Sequence, residues 1–142
     1  MSLRRKSREL ALQCLYQIDQ QGDFVADVAG MSEHFDVNVK AVPYAQELVD
    51  GIRGNWQDLN SLIELHAKNW RLSRMTVIDR NILRIAAFEL VHKADVPASV
   101  ALNEAIEIAK RFSTDDAAPF INGILDSLCR SVRNEQDDAG MR

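Results

Sequence analysis

The residues best suited to chemistry lie at the amino terminus of this 142-residue chain. The first eight residues contain no acid but four cations: Arg4, Arg5, Lys6 and Arg8. At about 100° per residue, a helix beginning here is expected to align four side chains on a stripe off the core face: Arg5, Arg8, Leu12 and Tyr16. Guanidinium groups hold phosphates, and a phenol ring lets a nucleobase stack on its face. The pattern favours single-stranded nucleic acid over a duplex groove, and a basic segment that only aids solubility is the alternative.

The charge of the chain is unevenly distributed. The formal net charge is −4, but the four cations of residues 1–8, called the basic segment below, leave 13 basic against 21 acidic residues elsewhere, a net charge of −8. The sequence therefore combines a basic segment with an acidic body, and these two parts suit partners of different charge.

Motifs of enzymes and metal sites are missing from the sequence. It contains neither of the glycine-rich phosphate-binding patterns nor H-E-x-x-H, and its three histidines share no ligand spacing. The acidic pairs Asp115-Asp116 and Glu104-Glu107 lie where helix caps or a solvated face place acids. We therefore expect no catalytic residue, no metal site and no cofactor.

Two further side chains have both a structural and a functional interpretation. Glu89 falls within an apolar helical arc, where a carboxylate must find donors, and Arg84 or a neighbouring helix end is the expected partner. Phe120 is predicted in the first turn of the last helix, where it could stack on a base or act as a hydrophobic staple. The staple and the structural role of Glu89 are the simpler interpretations.

Cysteine usage and hydropathy indicate the compartment. Cys14 and Cys129 both lie in apolar helical patterns, which predicts core thiols rather than a disulfide framework. The chain has no signal-peptide pattern and no apolar run of about 18 residues. A cytoplasmic location without membrane insertion is the expectation.

The elements that position these residues are predicted to be helices throughout, because apolar residues recur at steps of three and four. The first helix is expected over Ser2–Gln20, and a short second one over Phe24–Phe35. A third, opened by Pro43, is expected to continue to Trp70, with Gly51 and Gly54 as points of bending or close packing.

The carboxyl-terminal half is predicted to contain three more helices. The first, from about Thr76 to His92, is apolar around most of its circumference and is expected to be central and buried. A further helix follows Pro97, and the last runs from Ala117 or Pro119 to Val132 after caps supplied by residues 113–116. We expect a single domain over residues 1–134, with layers at about 1–70 and 74–134, and a flexible acidic tail over 135–142.

Three stretches carry a family resemblance. They are R-R-K-S-R-E-L-A-L-Q-C-L-Y (residues 4–16), D-R-N-I-L-R-I-A-A-F-E-L (79–90) and the run from 95 to 126, which includes V-P-A-S-V-A-L-N-E-A-I-E-I-A-K-R-F and F-I-N-G-I-L-D. The chain closely resembles the NusB family of bacterial transcription antitermination factors over nearly its whole length.

The resemblance implies an all-α fold of about seven helices in two subdomains. It also implies a non-enzymatic adaptor that binds single-stranded boxA RNA of ribosomal RNA leader transcripts together with the ribosomal protein NusE. NusA, NusG and RNA polymerase belong to the larger complex.

Matching residue by residue, the resemblance implies two sets of site residues. The RNA-binding set is Arg4, Arg5, Lys6, Arg8, Tyr16, Asp116 and Phe120, in which the charge of Asp116 would weaken phosphate binding. The NusE-binding set is Asp79, Arg80 and Leu83. Pro119, where the family often has a polar or basic residue, and the acidic pair Asp137-Asp138 depart from the pattern and predict modest affinity for RNA alone.

Two alternatives remain open at this stage. The same fold occurs as the amino-terminal domain of ribosomal RNA cytosine methyltransferases, although no S-adenosylmethionine-binding domain follows here, so this interpretation requires the chain to be a fragment. A homo-oligomeric module is the other alternative, in which a homodimer buries Arg5, Leu12 and Tyr16 and hides the RNA surface.

Overall fold

The computed structural model describes residues 2–21, 28, 38–68 and 70–133, and every regular element among them is helical. The α-helices are α1 (Leu3–Gln21), α2 (Val42–Gly54), α3 (Trp56–His66), α4 (Val77–His92), α5 (Ala98–Phe112) and α6 (Ala117–Val132). Short 3₁₀ turns at Val39–Ala41 and Leu72–Arg74 precede α2 and α4. The predicted all-α class is confirmed.

The chain forms two compact units, Met1–Trp56 and Gln57–Arg142. In the first unit α1 packs along α2. The Ser2 hydroxyl caps the start of α1 by accepting a hydrogen bond from the Arg5 amide at 3.0 Å. Apolar side chains spaced at three and four on both helices form the core, and they include Ala11, Cys14, Leu15 and Ile18 of α1 and Ala45, Leu48, Val49 and Ile52 of α2.

The prediction of one continuous helix from Pro43 to Trp70 is wrong. The helix ends at Gly54, and Asn55 leaves helical geometry with φ −125° and ψ 24°. The Asn55 side chain then donates a hydrogen bond to the Gly51 carbonyl oxygen at 2.8 Å, which satisfies an acceptor at the helix end. A new helix, α3, begins at Trp56, and the division between the two units falls at this break.

In the second unit α4 is the central element. It packs against both α5 and α6, which also pack against each other. Thr76 caps its start by accepting a hydrogen bond from the Asp79 amide at 3.1 Å. All residues from Asn81 to Leu90 are buried, as the apolar arc in the sequence predicted.

Polar side chains connect α3 to α4 and α6. Arg84 donates to the Asn60 side-chain oxygen at 2.9 Å and to that of Asn81 at 2.7 Å. His66 lies between two hydroxyl groups of α6, with Nδ1 2.8 Å from Ser127 Oγ and Nε2 3.1 Å from Ser131 Oγ. These bonds satisfy groups that partial burial would otherwise leave at a cost.

Arg133, the residue after α6, closes the far end of α4. It is buried and donates to four carbonyl oxygens, those of Leu90 at 2.8 Å, Val96 at 2.9 Å, and Glu89 and Lys93 at 3.2 Å each. The guanidinium group thereby supplies donors that the last turn of a helix lacks.

Several predictions fall outside the described residues. They are the helix over 24–35, of which only Val28 is described, and the acidic tail over 135–142. Of the two predicted core thiols, Cys14 is buried and Cys129 is partly buried. Across the described ranges, no helix has the length and hydrophobicity needed to span a membrane.

Candidate nucleic-acid interface

The basic segment forms the first turns of α1. Arg4 and Lys6 are exposed, Arg5 is partly buried, and the first turn contains no acidic residue. Cations at the amino-terminal end of a helix oppose the helix dipole, so this composition gives up some helix stability. It gives that end of α1 a positive potential that suits an anion.

Tyr44 of α2 is the aromatic side chain on which this segment rests. The Arg4 guanidinium lies over the Tyr44 ring with its central carbon 3.8 Å from the ring centroid, and that of Arg8 lies at 5.8 Å. Both distances fall within the range of cation–π attraction. The Ser7 hydroxyl donates to the Ala41 carbonyl oxygen at 2.8 Å and joins α1 to the turn before α2.

The predicted stripe off the core face is wrong for two of its four members. Arg8 and Leu12 are each only 3% exposed, whereas Tyr16 is 41% exposed and Arg5 is partly buried. The reason is the width of the buried face of α1, which contacts both α2 and the 3₁₀ turn before it. Arg8 therefore belongs to the packed part of the unit.

A cavity of about 410 Å³ lies in the second unit. Its lining combines aromatic, acidic and basic side chains: Trp70, Arg74, Met75, Thr76, Asp79, Thr114, Asp116, Ala117 and Phe120. The rings of Trp70 and Phe120 meet edge to face, with centroids 5.8 Å apart and an interplanar angle of 74°. Phe120 lies in the first turn of α6, as predicted. An open cavity with aromatic walls and a few polar groups can hold a planar ring.

Two carboxylates border this cavity in different surroundings. Asp79 is buried, and its Oδ1 accepts a hydrogen bond from the Ser113 hydroxyl at 2.6 Å. Asp116 is exposed at the N-cap position of α6, but its side chain makes no capping hydrogen bond. Asp79 is thus held by the fold, and Asp116 contributes negative charge at the surface.

The predicted NusE-binding residues differ in their accessibility. Leu83 is fully buried and packs in the core, so the prediction that it lies on a binding face is not supported. Arg80 is partly buried and donates to the carbonyl oxygens of Leu72 and Met75 at 3.3 and 3.2 Å. The apolar arc of α4 covers most of the helix, which leaves few of its side chains at a surface.

Trp70 is the cavity residue that the sequence misassigned. The pattern placed it on the apolar line of the third helix, but α3 ends at His66, and Trp70 is 49% exposed. Lys68 has φ 36°, a left-handed conformation that turns the chain away from the helix axis.

Glu89 is buried, as predicted. Its pairing with Arg84 or a neighbouring helix end stays a prediction. The structure thus places Glu89 inside the packed part of α4 and away from the cavity lining.

Comparisons with known proteins bear on the whole chain. The model of the NusB family matches residues 5–130. Transcription antitermination protein NusB of Desulfosudis oleivorans is 42% identical over 142 aligned residues, covering 97% of this chain and 92% of that protein.

Two solved structures have a similar fold. T. maritima NusB has a TM-score of 0.83 and 33% identity, covering 96% of each chain. A chain from the crystal structure of antitermination factors NusB and NusE in complex with dsRNA has a TM-score of 0.82 and 25% identity, covering 92% of this chain and 98% of that one.

These observations define the protein first as an all-helical protein with the fold of antitermination factors. The match over residues 5–130 and the identity to curated relatives then place it more narrowly: the chain belongs to the NusB family.

Proposed function

We propose that this protein is a non-enzymatic RNA-binding adaptor that binds single-stranded boxA RNA together with NusE. The match to the structure of NusB and NusE in complex with dsRNA, which covers 92% of this chain, is the observation that supports NusE and RNA as partners. The single-stranded form of the RNA is proposed from the exposed cations and aromatic rings described below. As part of the same proposal, the resulting complex joins NusA, NusG and RNA polymerase during transcription of ribosomal RNA.

In the proposed RNA-binding surface, cations contact phosphates and aromatic rings stack on bases. Arg4 and Lys6 are exposed, Arg5 is partly exposed, and all three are the proposed phosphate contacts, while Tyr16 presents an exposed ring. The Trp70 and Phe120 pair offers a second aromatic surface. Base stacking with electrostatic contacts to the backbone is the usual way to bind a single strand. Arg8 supports this surface from its buried position.

On the protein side, the proposal relies on charge. Outside residues 1–8 the chain has a net charge of −8, which attracts a basic ribosomal protein and brings that partner's cations to the RNA. Asp79, which lines the cavity, and Arg80, which is partly exposed, remain the proposed NusE contacts, whereas Leu83 is fully buried outside the cavity lining and is removed from the proposed surface. Affinity is expected to come from the joint surface of both proteins.

The homo-oligomeric alternative loses the surface that motivated it. It required a stripe of Arg5, Leu12 and Tyr16 free to bury against a second copy, but Leu12 is already buried within the chain. The adaptor is therefore the function that the geometry supports best.

An omission experiment tests the adaptor. Fluorescence anisotropy of a labelled boxA RNA is measured with this protein, with NusE and with both, and a scrambled RNA is the control. We expect at least tenfold tighter binding with both proteins than with either alone, and clear preference over the scrambled RNA. Equal affinities with and without this protein would reject the proposal.

Salt dependence tests the role of the basic segment. Three exposed or partly exposed cations on a single strand contribute about −2 to the slope of log K against log salt. Replacing Arg4, Arg5 and Lys6 by glutamine is expected to remove that part of the slope. The control is Lys110→Gln, which changes one exposed cation paired with Glu107 on α5. A full slope in the triple variant would make the segment a solubility feature.

A further inference from the structure

We propose that Tyr44 is a positioning residue for RNA binding, because its ring holds the Arg4 guanidinium in a fixed place from which the edge of that group meets an RNA phosphate. The inference rests on the proposed RNA-binding function and deepens it. It adds a residue of α2 to an RNA-binding set that the sequence had confined to α1, Asp116 and Phe120.

The Arg4 guanidinium is stacked on the Tyr44 ring. The central carbon of the Arg4 guanidinium lies 3.8 Å from the Tyr44 ring centroid, which is van der Waals contact. Tyr44 is only 9% exposed, whereas Arg4 is exposed. The ring thus serves as a covered support, and the arginine is the part that meets solvent.

The support for the stack is rigid. Ala45 and Leu48, which flank Tyr44 on α2, are fully buried. The hydrogen bond from the Ser7 hydroxyl to the Ala41 carbonyl fixes the start of α1 to the turn that precedes Tyr44. Both partners of the stack are therefore held by the same packed unit, and the position of the ring relative to Arg4 is set before any ligand binds.

The stack leaves donors of Arg4 available. A guanidinium group is planar, so a ring beneath its face leaves the N–H groups at its edge directed outward. Among the described residues, Arg4 has no ion pair with a carboxylate and no hydrogen bond from its side chain. A phosphate can therefore accept from two N–H groups at once.

The stack lowers the entropy cost of phosphate binding by Arg4. A free arginine side chain loses rotamer entropy when it binds a phosphate, and the ring has already restricted that freedom. Arginine stacks on an aromatic face more effectively than lysine, whose ammonium group is compact and strongly hydrated. The identity of residue 4, and not only its charge, should therefore matter.

The test compares Tyr44→Phe, which keeps the ring, with Tyr44→Leu, which removes it. RNA affinity is measured by anisotropy with NusE present, in the parent protein and in an Arg4→Met background. We expect Tyr44→Leu to weaken binding about three- to tenfold and Tyr44→Phe to stay within about twofold. In the Arg4→Met background, Tyr44→Leu should have no further effect.

Further variants and an NMR measurement distinguish a positioning role of Tyr44 from an effect on protein stability. Ile52→Ala opens the core of the same unit two helical turns beyond Tyr44 without touching Arg4, and its folded form should bind RNA as the parent does. Arg4→Lys keeps the charge, so it should retain the salt slope but lose about three- to tenfold in affinity, as Tyr44→Leu does. The Arg4 Hε resonance should show an upfield ring-current shift in the parent and Tyr44→Phe proteins and none in Tyr44→Leu.

The outcomes separate this inference from the function beneath it. If the parent protein with NusE does not bind the RNA, the proposed function fails and the inference fails with it. If the parent binds RNA but Tyr44→Leu leaves the affinity unchanged, or lowers it equally in the Arg4→Met background, only the inference is overturned. If Tyr44→Leu does not fold, Arg4→Lys decides, since full affinity in that variant excludes a role for the stack.

Discussion

The start of α1 and the cavity beside α6 differ in what they offer a ligand. The first has cations supported by one buried ring, Tyr44, and no acid in its first helical turn. The second has two aromatic walls with carboxylates at the rim and one arginine, Arg74, in its lining. The first is suited to phosphates, whereas the second is suited to planar bases or to cations of a partner.

RNA binding at the two surfaces should therefore respond to different variables. Contacts between cations and phosphates weaken steeply with salt, whereas stacking on aromatic rings does not depend on counterion release. The two regions also lie in separate compact units, so each can be perturbed by substitutions in its own core. Three substitutions use this separation, in order of decreasing effect.

The largest effect is expected from Arg133→Met, which removes the donors to four carbonyl oxygens at the end of α4. The carbonyl oxygens of Glu89 and Lys93 keep backbone donors, but those of Leu90 and Val96 lose the donor described for them, which should lower the free energy of unfolding by about 3 kcal/mol. Urea denaturation measures the loss, and hydrogen exchange shows where it falls. The α4 amides should lose protection and those of α1 should keep theirs.

The matched control is Arg130→Met on the preceding turn. Arg130 is exposed and pairs with Asp126, a type of surface ion pair that contributes less than about 1 kcal/mol. If Arg133→Met reduced protection in α1 as strongly as in α4, the two units would unfold together and the comparison of separate regions would not hold.

An intermediate effect is expected from Phe120→Ala. Loss of a stacking platform should weaken RNA binding by about 1–3 kcal/mol, with the salt slope unchanged because no cation is lost. Anisotropy titrations with NusE at several salt concentrations measure both quantities. Phe112→Ala changes an exposed ring outside the cavity lining and should leave affinity as it is. Equal affinity in both variants would remove Phe120 from the RNA-binding set.

The smallest effect is expected from Asp116→Asn, and it should increase affinity. A carboxylate about 7 Å from a phosphate in water repels it by about 0.6 kcal/mol, so its removal should strengthen binding about threefold at low salt. Titrations at two salt concentrations check that the gain fades as screening increases. Asp95→Asn, beyond the other end of α4, serves as the control. Weaker binding in Asp116→Asn would mean that the carboxylate accepts a hydrogen bond from the RNA.

The helices were predictable where apolar spacing and capping residues agreed. Thr76 marks the start of α4, and the arc from Asn81 to Leu90 predicts its burial. Gly54 marked a point of bending in the sequence, but a complete break at Asn55 was not predictable, since the apolar spacing continues from Ile52 to Leu59 and only the backbone conformation of Asn55 interrupts the helix. Periodicity records which face is buried but does not record whether the axis is continuous.

Candidate site residues were predictable by type more than by exposure. The basic segment and Phe120 were identified from charge and position, but Arg8 looked like a surface cation, and its burial depends on how α1 meets the turn before α2. Trp70 and Tyr44 were missed as site residues because each fits an apolar helical pattern. Pairing of aromatic rings with distant residues is a tertiary property that one helix cannot reveal.

The closure of α4 by Arg133 has a consequence for the order of events during synthesis. Arg133 follows Leu90 by 43 residues in the chain, so the ribosome must add those residues before the α4 carbonyl oxygens meet their donor. At about 5–20 residues per second, this takes about 2–9 s, during which α4 is made but not sealed. The central helix of the second unit therefore lacks its Arg133 hydrogen-bond donor until the end of α6 has been made. In contrast, α1 and α2 can pair on the ribosome much earlier.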